Sequence, residues 1–195
     1  MNSKLKLIGG KKIISPKLNL TRPTTLMVRE ALFNILRQNV LNSNWLDFFS
    51  GTGSISCEAI NHGAKKVVAI EKNRINAEIC FKNISSLDKS KGRGNDISVI
   101  KEDVISWIKS MNSVEKASKI SSNGFIFDFV YLDPPYESKY YELVLELLEG
   151  SKFINQKTII ICEHSKYRDF KIGSHLKIKD ERVYGQTKIK FLVKV

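Results

Sequence analysis

The chain has 195 residues, 42% hydrophobic and 27% charged, near the usual size of one globular domain and long enough to bury a core. No stretch approaches the ~18 consecutive apolar residues of a membrane span, and the first residues carry neither a long apolar run nor a small-residue cleavage site, so neither insertion nor export is expected. Net charge is +12, and residues 1–37 hold eight cations (Lys4, Lys6, Lys11, Lys12, Lys17, Arg22, Arg29, Arg37) against Glu30 alone, a block that suits a polyanion partner.

In chain order, LKLIGGKKIISPKLNL predicts a hairpin turning at Gly9-Gly10. TRPTTLMVREALFNILRQ (21–38) predicts a helix with Pro23 in its first turn and Leu26, Ala31, Leu32, Ile35 and Leu36 on the apolar face. Residues 1–40 thus read as an extension leading into a domain over 41–195. WLDFF (45–49) is a short strand ending in SGTG, and 53–62 a helix closed by Gly63. KVVAIE (66–71) is a second strand, followed by a helix from Asn73 to about Leu87. ISVIKED (97–103) and a helix over 104–111 come next. FIFDFVYLD (125–133) is a fourth strand, 139–149 a helix with Leu143, Leu147 and Leu148 on one side, and KTIIICE (157–163) a fifth strand. The tail, ERVYGQTKIKFLVKV (181–195), reads as two antiparallel strands around Gly185-Gln186. The polar stretches 85–96 and 112–124 read as exposed loops. Alternating β and α units argue for an α/β fold with a mostly parallel sheet covered on both faces, and VVAI, FDFVYL and TIIIC have the continuous apolar character of strands buried on both sides.

Cys57, Cys80 and Cys162 are far apart and form no CxxC, so reduced cytosolic thiols are expected rather than disulfides or zinc. His62, His164 and His175 are equally scattered, and a metal centre has little support.

Two segments carry chemistry. DFFSGTGSIS (47–56) lies where a strand turns into its helix; its glycines permit a tight turn and close backbone approach, and the helix start offers N–H groups. Glu71 ends the next strand, where an acidic side chain can accept hydrogen bonds from a ribose diol. The same layout serves NAD, but Ser56 stands where the third glycine of GxGxxG belongs, so a pyrophosphate cradle is poorly supported. S-adenosylmethionine has a ribose and no phosphate, and needs no such cradle. Asp103 can hydrogen-bond the adenine amino group or cap the helix that follows, and the two roles are compatible.

VYLDPPY (130–136) settles the choice. It falls at the carboxyl end of a strand, where ligands sit in open α/β folds. Prolines lock φ and remove N–H donors, leaving carbonyl oxygens as acceptors. The Asp133 carboxylate and the Pro134 carbonyl can each accept one hydrogen of an exocyclic NH₂, which frees the nitrogen lone pair for attack, while Tyr136 stacks on the base. The bland reading is a strand-ending turn with an exposed aromatic.

On these residues the sequence resembles the Rossmann-like class I methyltransferases acting on amino nitrogens. More narrowly it resembles the bacterial RsmD family, which methylates a guanine N2 of 16S ribosomal RNA. The likeness runs through IGGKKI, TRPTTLMVREALFNIL, LDFFSGTGSISCEA, AIEKN, VYLDPPY and VYGQTKI. The DPPY element alone is shared with adenine-N6, cytosine-N4 and protein-glutamine methyltransferases; RPTTLMVREALFN leading into DFFSGTG is far more specific. The resemblance implies the class I methyltransferase fold with a central, mostly parallel seven-stranded sheet. It implies S-adenosylmethionine held by Asp47, Phe49, Ser50, Gly51, Thr52, Gly53, Glu71, Lys72, Asp103 and Val104, and catalysis at Asp133, Pro134, Pro135 and Tyr136. RNA contacts would come from Lys11, Lys12, Arg22, Thr24 and Arg29, with a helix ion pair as the other reading of Arg29. A cytoplasmic monomer without metal, acting on 16S ribosomal RNA in an assembling small subunit, is also implied. Stretches 85–96 and 112–124 look longer than this compact family needs. Three other functions remain open here. A DNA adenine-N6 methyltransferase would need a target-recognition domain for which no segment is large enough. A protein-glutamine methyltransferase would be expected to have Asn at position 133. A non-catalytic RNA-binding module sits poorly with an intact Asp133 and DFFSGTG.

Overall fold

The computed structural model describes residues 3–15, 24–91, 96–113, 126–135 and 139–195. They divide into two compact units, 1–101 and 102–195.

In the first unit, β1 (Ser3–Lys6) and β2 (Lys12–Ser15) form the antiparallel hairpin, with Lys6 opposite Lys12. It turns through Gly9 (φ 81°) and Gly10 (φ 89°), left-handed positions that side chains resist. Helix α1 is Leu26–Leu36. It starts later than expected because Thr25 caps it, its hydroxyl accepting from Val28 N–H at 3.3 Å; Pro23 lies outside the described residues. The buried face also differs from expectation. Val28, Arg29, Leu32, Phe33 and Leu36 are buried, while Leu26 and Ile35 are exposed. These five positions form one stripe at spacings of three and four, and a charged residue within it disguised the face.

After the 3₁₀ turn Arg37–Val40 come β3 (Asn44–Phe48), α2 (Ser54–Asn61), β4 (Lys66–Ile70), α3 (Arg74–Lys91) and β5 (Asp96–Ile100). The strands run parallel in the order β5-β4-β3, with Phe48 paired to Ile70 and Ile70 to Ile100, so their carboxyl ends are level. Helix α3 continues through residues expected to be loop. Ala77, Cys80, Ile84 and Leu87 are buried along it, and that stripe carries the helix past Ser85 and Ser86. Residues 92–95 lie outside the described set. Strand β5 ends before Asp103, which caps the next helix instead.

The second unit contains α4 (Val104–Asn112), β6 (Phe129–Leu132), α5 (Tyr140–Glu149), β7 (Ile159–Ser165), β8 (Leu176–Tyr184) and β9 (Thr187–Lys194). β6 and β7 are parallel; β9 is antiparallel to both β7 and β8, and the β8–β9 hairpin turns at Gly185 (φ 59°). β6 is shorter than expected, and Phe127, ahead of it, donates its N–H to the Phe153 carbonyl. On α5 the buried residues are Val144, Leu145 and Leu148, while Leu143 is exposed, so the apolar face is rotated from the expected one. The loop expected over 112–124 falls mainly on 114–125, outside the described residues. Strands β3 to β9 supply the seven-stranded, mostly parallel sheet of the α/β class.

Candidate active site

In the first unit, the segment after β3 is built for close approach. Phe49 (φ 60°), Gly51 (φ 55°) and Gly53 (φ 79°) all take left-handed conformations. Ser50 N–H donates to the Ile70 carbonyl at 3.0 Å, and Gly53 N–H to the Ser50 carbonyl at 2.8 Å. A Cβ on Gly53 would lie 2.6 Å from Cys80 Sγ, so helix α3 seals that side of the loop. Glu71, just beyond β4, accepts from Gly51 N–H at 2.8 Å through Oε2 and from Asn73 N–H at 2.7 Å through Oε1. Its carboxylate therefore helps to order the glycine turn. Lys72 beside it is exposed.

Asp47 is buried, and its Oδ2 accepts from both the amide and the hydroxyl of Ser56. Burial pushes its carboxyl up to about 7; the Ser56 hydrogen bonds pull it down, and the charge of Glu71 adds to the rise. In this arrangement Asp47 anchors the start of α2 beneath the loop. The sequence did not point to Asn83, a buried residue of α3. Its amide nitrogen donates to the carbonyls of Thr52 and Ile14, both at 2.9 Å, and its oxygen accepts from Ile14 N–H at 2.8 Å. It ties the glycine loop to the hairpin; the available signal was an asparagine on an otherwise apolar helical stripe. The thiols of Cys57 and Cys80 are raised by burial and stay protonated.

The expected RNA-contact residues divide sharply. Lys11 and Lys12 are exposed on the hairpin, and Arg22 lies outside the described residues. Thr24 is buried, its carbonyl accepting from Arg29 Nη1 at 2.5 Å. Arg29 corrects the expectation of a phosphate contact. It is fully buried, pairs with Glu58 at 3.4 Å and donates to the Lys6 carbonyl at 2.6 Å, so its charge is used inside the fold. The surface offers another cationic place that sequence reading missed, a shallow groove of about 510 Å³ between α3 and β5. Arg74, Lys82 and Lys101 line it with Glu78, and Phe81 stands exposed there.

In the second unit, Asp103 Oδ1 accepts from Ile105 N–H at 3.1 Å and Ser106 N–H at 3.3 Å, so the capping role is present; Val104 behind it is buried. Asp133 is half-buried at the end of β6, Pro134 is buried and Pro135 exposed, while Tyr136 lies outside the described residues. Next along the sheet, Glu163 of β7 is buried and accepts from the Tyr131 hydroxyl. Its carbonyl accepts from the Tyr141 hydroxyl, and Tyr141 stacks on Phe170 at 4.4 Å. Lys190 is buried above the Phe170 ring at 4.7 Å and pairs with Asp169. His164 Nδ1 lies against the carbonyls of Ser165 and Arg168, and burial pushes its ring toward the neutral form. Among the described residues there is no cluster of His, Cys, Asp and Glu suited to a metal ion, and no helix long and apolar enough to cross a membrane.

The family described as "Conserved hypothetical protein 95" matches residues 6–193. The ribosomal RNA small subunit methyltransferase D of Haemophilus influenzae is 31% identical over 145 residues, spanning 74% of this chain and 68% of that protein. This chain belongs to the RsmD family. An RsmD relative of the same name from Buchnera aphidicola subsp. Acyrthosiphon pisum is 26% identical over 189 residues, 95% of this chain and 91% of its own. The solved Escherichia coli protein yhhF, described as a methyltransferase, aligns with a TM-score of 0.77 at 24% identity over 98% of each chain, which bears on the fold. The RsmD resemblance seen in TRPTTLMVREALFNIL, DFFSGTG and VYLDPPY is therefore a family relationship, and the class I fold expected from it is present.

Proposed function

We propose that this chain transfers a methyl group from S-adenosylmethionine to the exocyclic N2 of a guanine in 16S ribosomal RNA. The observation that carries this reading is the Asp133-Pro134-Pro135 corner at the end of β6, in a chain matched over residues 6–193 to the family of the small-subunit RNA methyltransferases.

The cofactor's chemistry fits the residues at the ends of β3 and β4. A ribose diol needs acceptors, and Glu71 is a carboxylate already engaged with backbone N–H groups at the glycine turn. The left-handed turn and the packed Gly53 leave backbone rather than side chain at the surface a nucleoside would meet. Asp47, Phe49, Ser50, Gly51, Thr52, Gly53, Glu71, Lys72, Asp103 and Val104 would hold the cofactor, with Asp47 acting through Ser56 and Asp103 combining its capping role with a hydrogen bond to the adenine amino group. When bound, the cofactor supplies a methyl group already activated on a sulfonium.

The protein's own work is orientation and proton handling. Asp133 and the Pro134 carbonyl each accept a hydrogen of the amino group, turning its lone pair outward. Pro135 adds rigidity, and Tyr136 stacks on the extruded base. Once the nitrogen has formed its new bond, Asp133 or water takes up the released proton. No thiol is needed, in keeping with the protonated Cys57 and Cys80.

Residues 1–40 would act as an RNA-contacting extension and 41–195 as the catalytic domain. Lys11 and Lys12, with the exposed cations beside Phe81, supply sequence-independent attraction to RNA phosphates. The natural substrate would be an assembling small subunit, and the enzyme a cytoplasmic monomer. A tritiated-methyl assay tests this: label must pass to small-subunit RNA and not to DNA or protein. Asp133→Ala is expected to abolish transfer while cofactor binding persists; near-normal rates in that variant would reject the amine clamp.

A further inference from the structure

A buried carboxylate neighbours the proposed amine clamp. β6 and β7 run parallel with Tyr131 paired to Ile161 and Leu132 to Cys162, so Asp133 and Glu163 are the next residues along the two strands. Side chains alternate across a strand and paired residues share a face, which puts Tyr131, Ile161 and Glu163 on one side of this pair, and Asp133 follows directly where β6 ends at Leu132. The hydrogen bond from the Tyr131 hydroxyl to Glu163 Oε2 confirms contact across that face. Glu163 is also fixed through its backbone, where its carbonyl accepts from the Tyr141 hydroxyl, and Tyr141 is stacked on Phe170. A carboxylate only 7% exposed is retained where donors meet it. A carboxylate presents its acceptor positions over two oxygens, and the Tyr131 hydroxyl meets Oε2.

We infer that Glu163 is a specificity-determining residue for guanine: its carboxylate accepts the ring N1–H while the Asp133 corner holds the neighbouring 2-amino group. This rests on the methyl-transfer function proposed above. Guanine presents N1–H and the 2-amino group as adjacent donors on one edge, matching two acceptors, one just past the end of β6 and one within β7. Adenine presents its amino group beside a bare N1 lone pair, which a carboxylate repels, and rejection of that kind strengthens in a dry site. Tyr131 serves as a positioning residue, since its hydroxyl sets where the Glu163 carboxylate points.

The discriminating substrate is 2,6-diaminopurine, which keeps the 2-amino group but has a lone pair at N1. Two synthetic RNA hairpins would carry the mapped target nucleotide, one with guanine and one with 2,6-diaminopurine. The full chain, Glu163→Gln and Tyr131→Phe would each be assayed on both with tritiated cofactor. The intact chain is expected to prefer guanine in kcat/KM by about a hundredfold or more. Glu163→Gln can turn an amide N–H toward a bare N1, so the preference falls by about tenfold or more, with cofactor affinity unchanged. Tyr131→Phe moves the ratio the same way by less, and decides the matter should Glu163→Gln fail to fold. An unchanged ratio, or an equal loss on both hairpins, overturns the assignment of Glu163. Assembling small subunits serve as the control substrate: if the intact chain labels neither them nor the guanine hairpin, the methyl-transfer function itself falls. If it labels only the subunits, the same comparison is made on subunits reconstituted with either base, so the two failures are distinguished.

Discussion

Arg29→Met tests whether the cation at the centre of α1 belongs to the fold or to the RNA surface. Arg29 and Glu58 both have side chains 0% exposed, 3.4 Å apart. The remaining guanidinium nitrogens hold the carbonyls of Thr24 and Lys6 at 2.5 and 2.6 Å, and Glu58 also accepts from Ile8 N–H at 2.8 Å. One side chain thus joins α1, α2 and the hairpin. Methionine roughly fills the space but donates nothing, so a buried carboxylate loses its cation and two carbonyls lose the guanidinium. Breaking a buried pair from one side costs about 3–5 kcal/mol. Burial already pushes the Glu58 carboxyl upward, with Arg29 among the groups holding it down, so the variant sheds part of the cost by protonating Glu58. The lower end, about 3 kcal/mol, is therefore expected. With a urea m-value of about 2 kcal/mol/M, the unfolding midpoint at pH 7 should fall by about 1.5 M. Arg29→Met combined with Glu58→Gln keeps an acceptor for Ile8 N–H and removes the bare charge, so it should recover at least half of the loss. A loss below about 1 kcal/mol, or a double variant no better than the single one, would refute the buried-pair account. A phosphate-binding arginine would instead leave the midpoint untouched and weaken only RNA affinity.

Asp47 makes stability depend on pH. Its folded-state carboxyl sits at about 7 against an ordinary value of 3.8, so the folded chain binds that proton more tightly than the unfolded chain. The contribution is fully present below the unfolded value and is lost as pH rises toward 7, amounting to about 4 kcal/mol at most. Asp47→Asn should flatten the urea-midpoint profile between about pH 4.5 and 7.5; superimposable profiles would contradict the burial argument. Gly53→Ala places a methyl 2.6 Å from Cys80 Sγ at φ 79° and should cost about 1–3 kcal/mol, read by thermal unfolding, together with weaker cofactor binding. Glu71→Gln loses the charge that accepts from Gly51 and Asn73, and calorimetry should show cofactor affinity lowered about 10- to 100-fold with the fold retained. Unaltered affinity would remove Glu71 from the proposed ribose contact.

Local pattern sufficed where the chain follows one period. The short apolar runs at 45–49, 66–71 and 157–163, each bounded by turn or helix signals, are strands because continuous apolar character suits a parallel sheet covered on both faces. The hairpins at Gly9-Gly10 and Gly185 follow from glycine's tolerance of positive φ. DFFSGTG and the Asp133-Pro134-Pro135 corner were likewise legible as turns at strand ends, because each is a contiguous stretch following an apolar run. Faces and ends of helices were less so. In α1 a buried arginine sits in the apolar stripe, and in α3 buried Ile84 and Leu87 carry the helix through polar sequence.

The fate of individual polar groups was decided only in three dimensions. Ile8 meets Glu58 across 50 positions and Ile14 meets Asn83 across 69, distances over which no sequence period operates. Whether Arg29 faces solvent or Glu58, and whether Asp47 greets a ligand or Ser56, depends on which donors and acceptors packing brings within about 3 Å. Sequence by itself determined the α/β class and the two motifs, since backbone propensity and side-chain periodicity are local. Tertiary structure alone decided the partners of the buried charges, because desolvation and pairing are properties of neighbours in space.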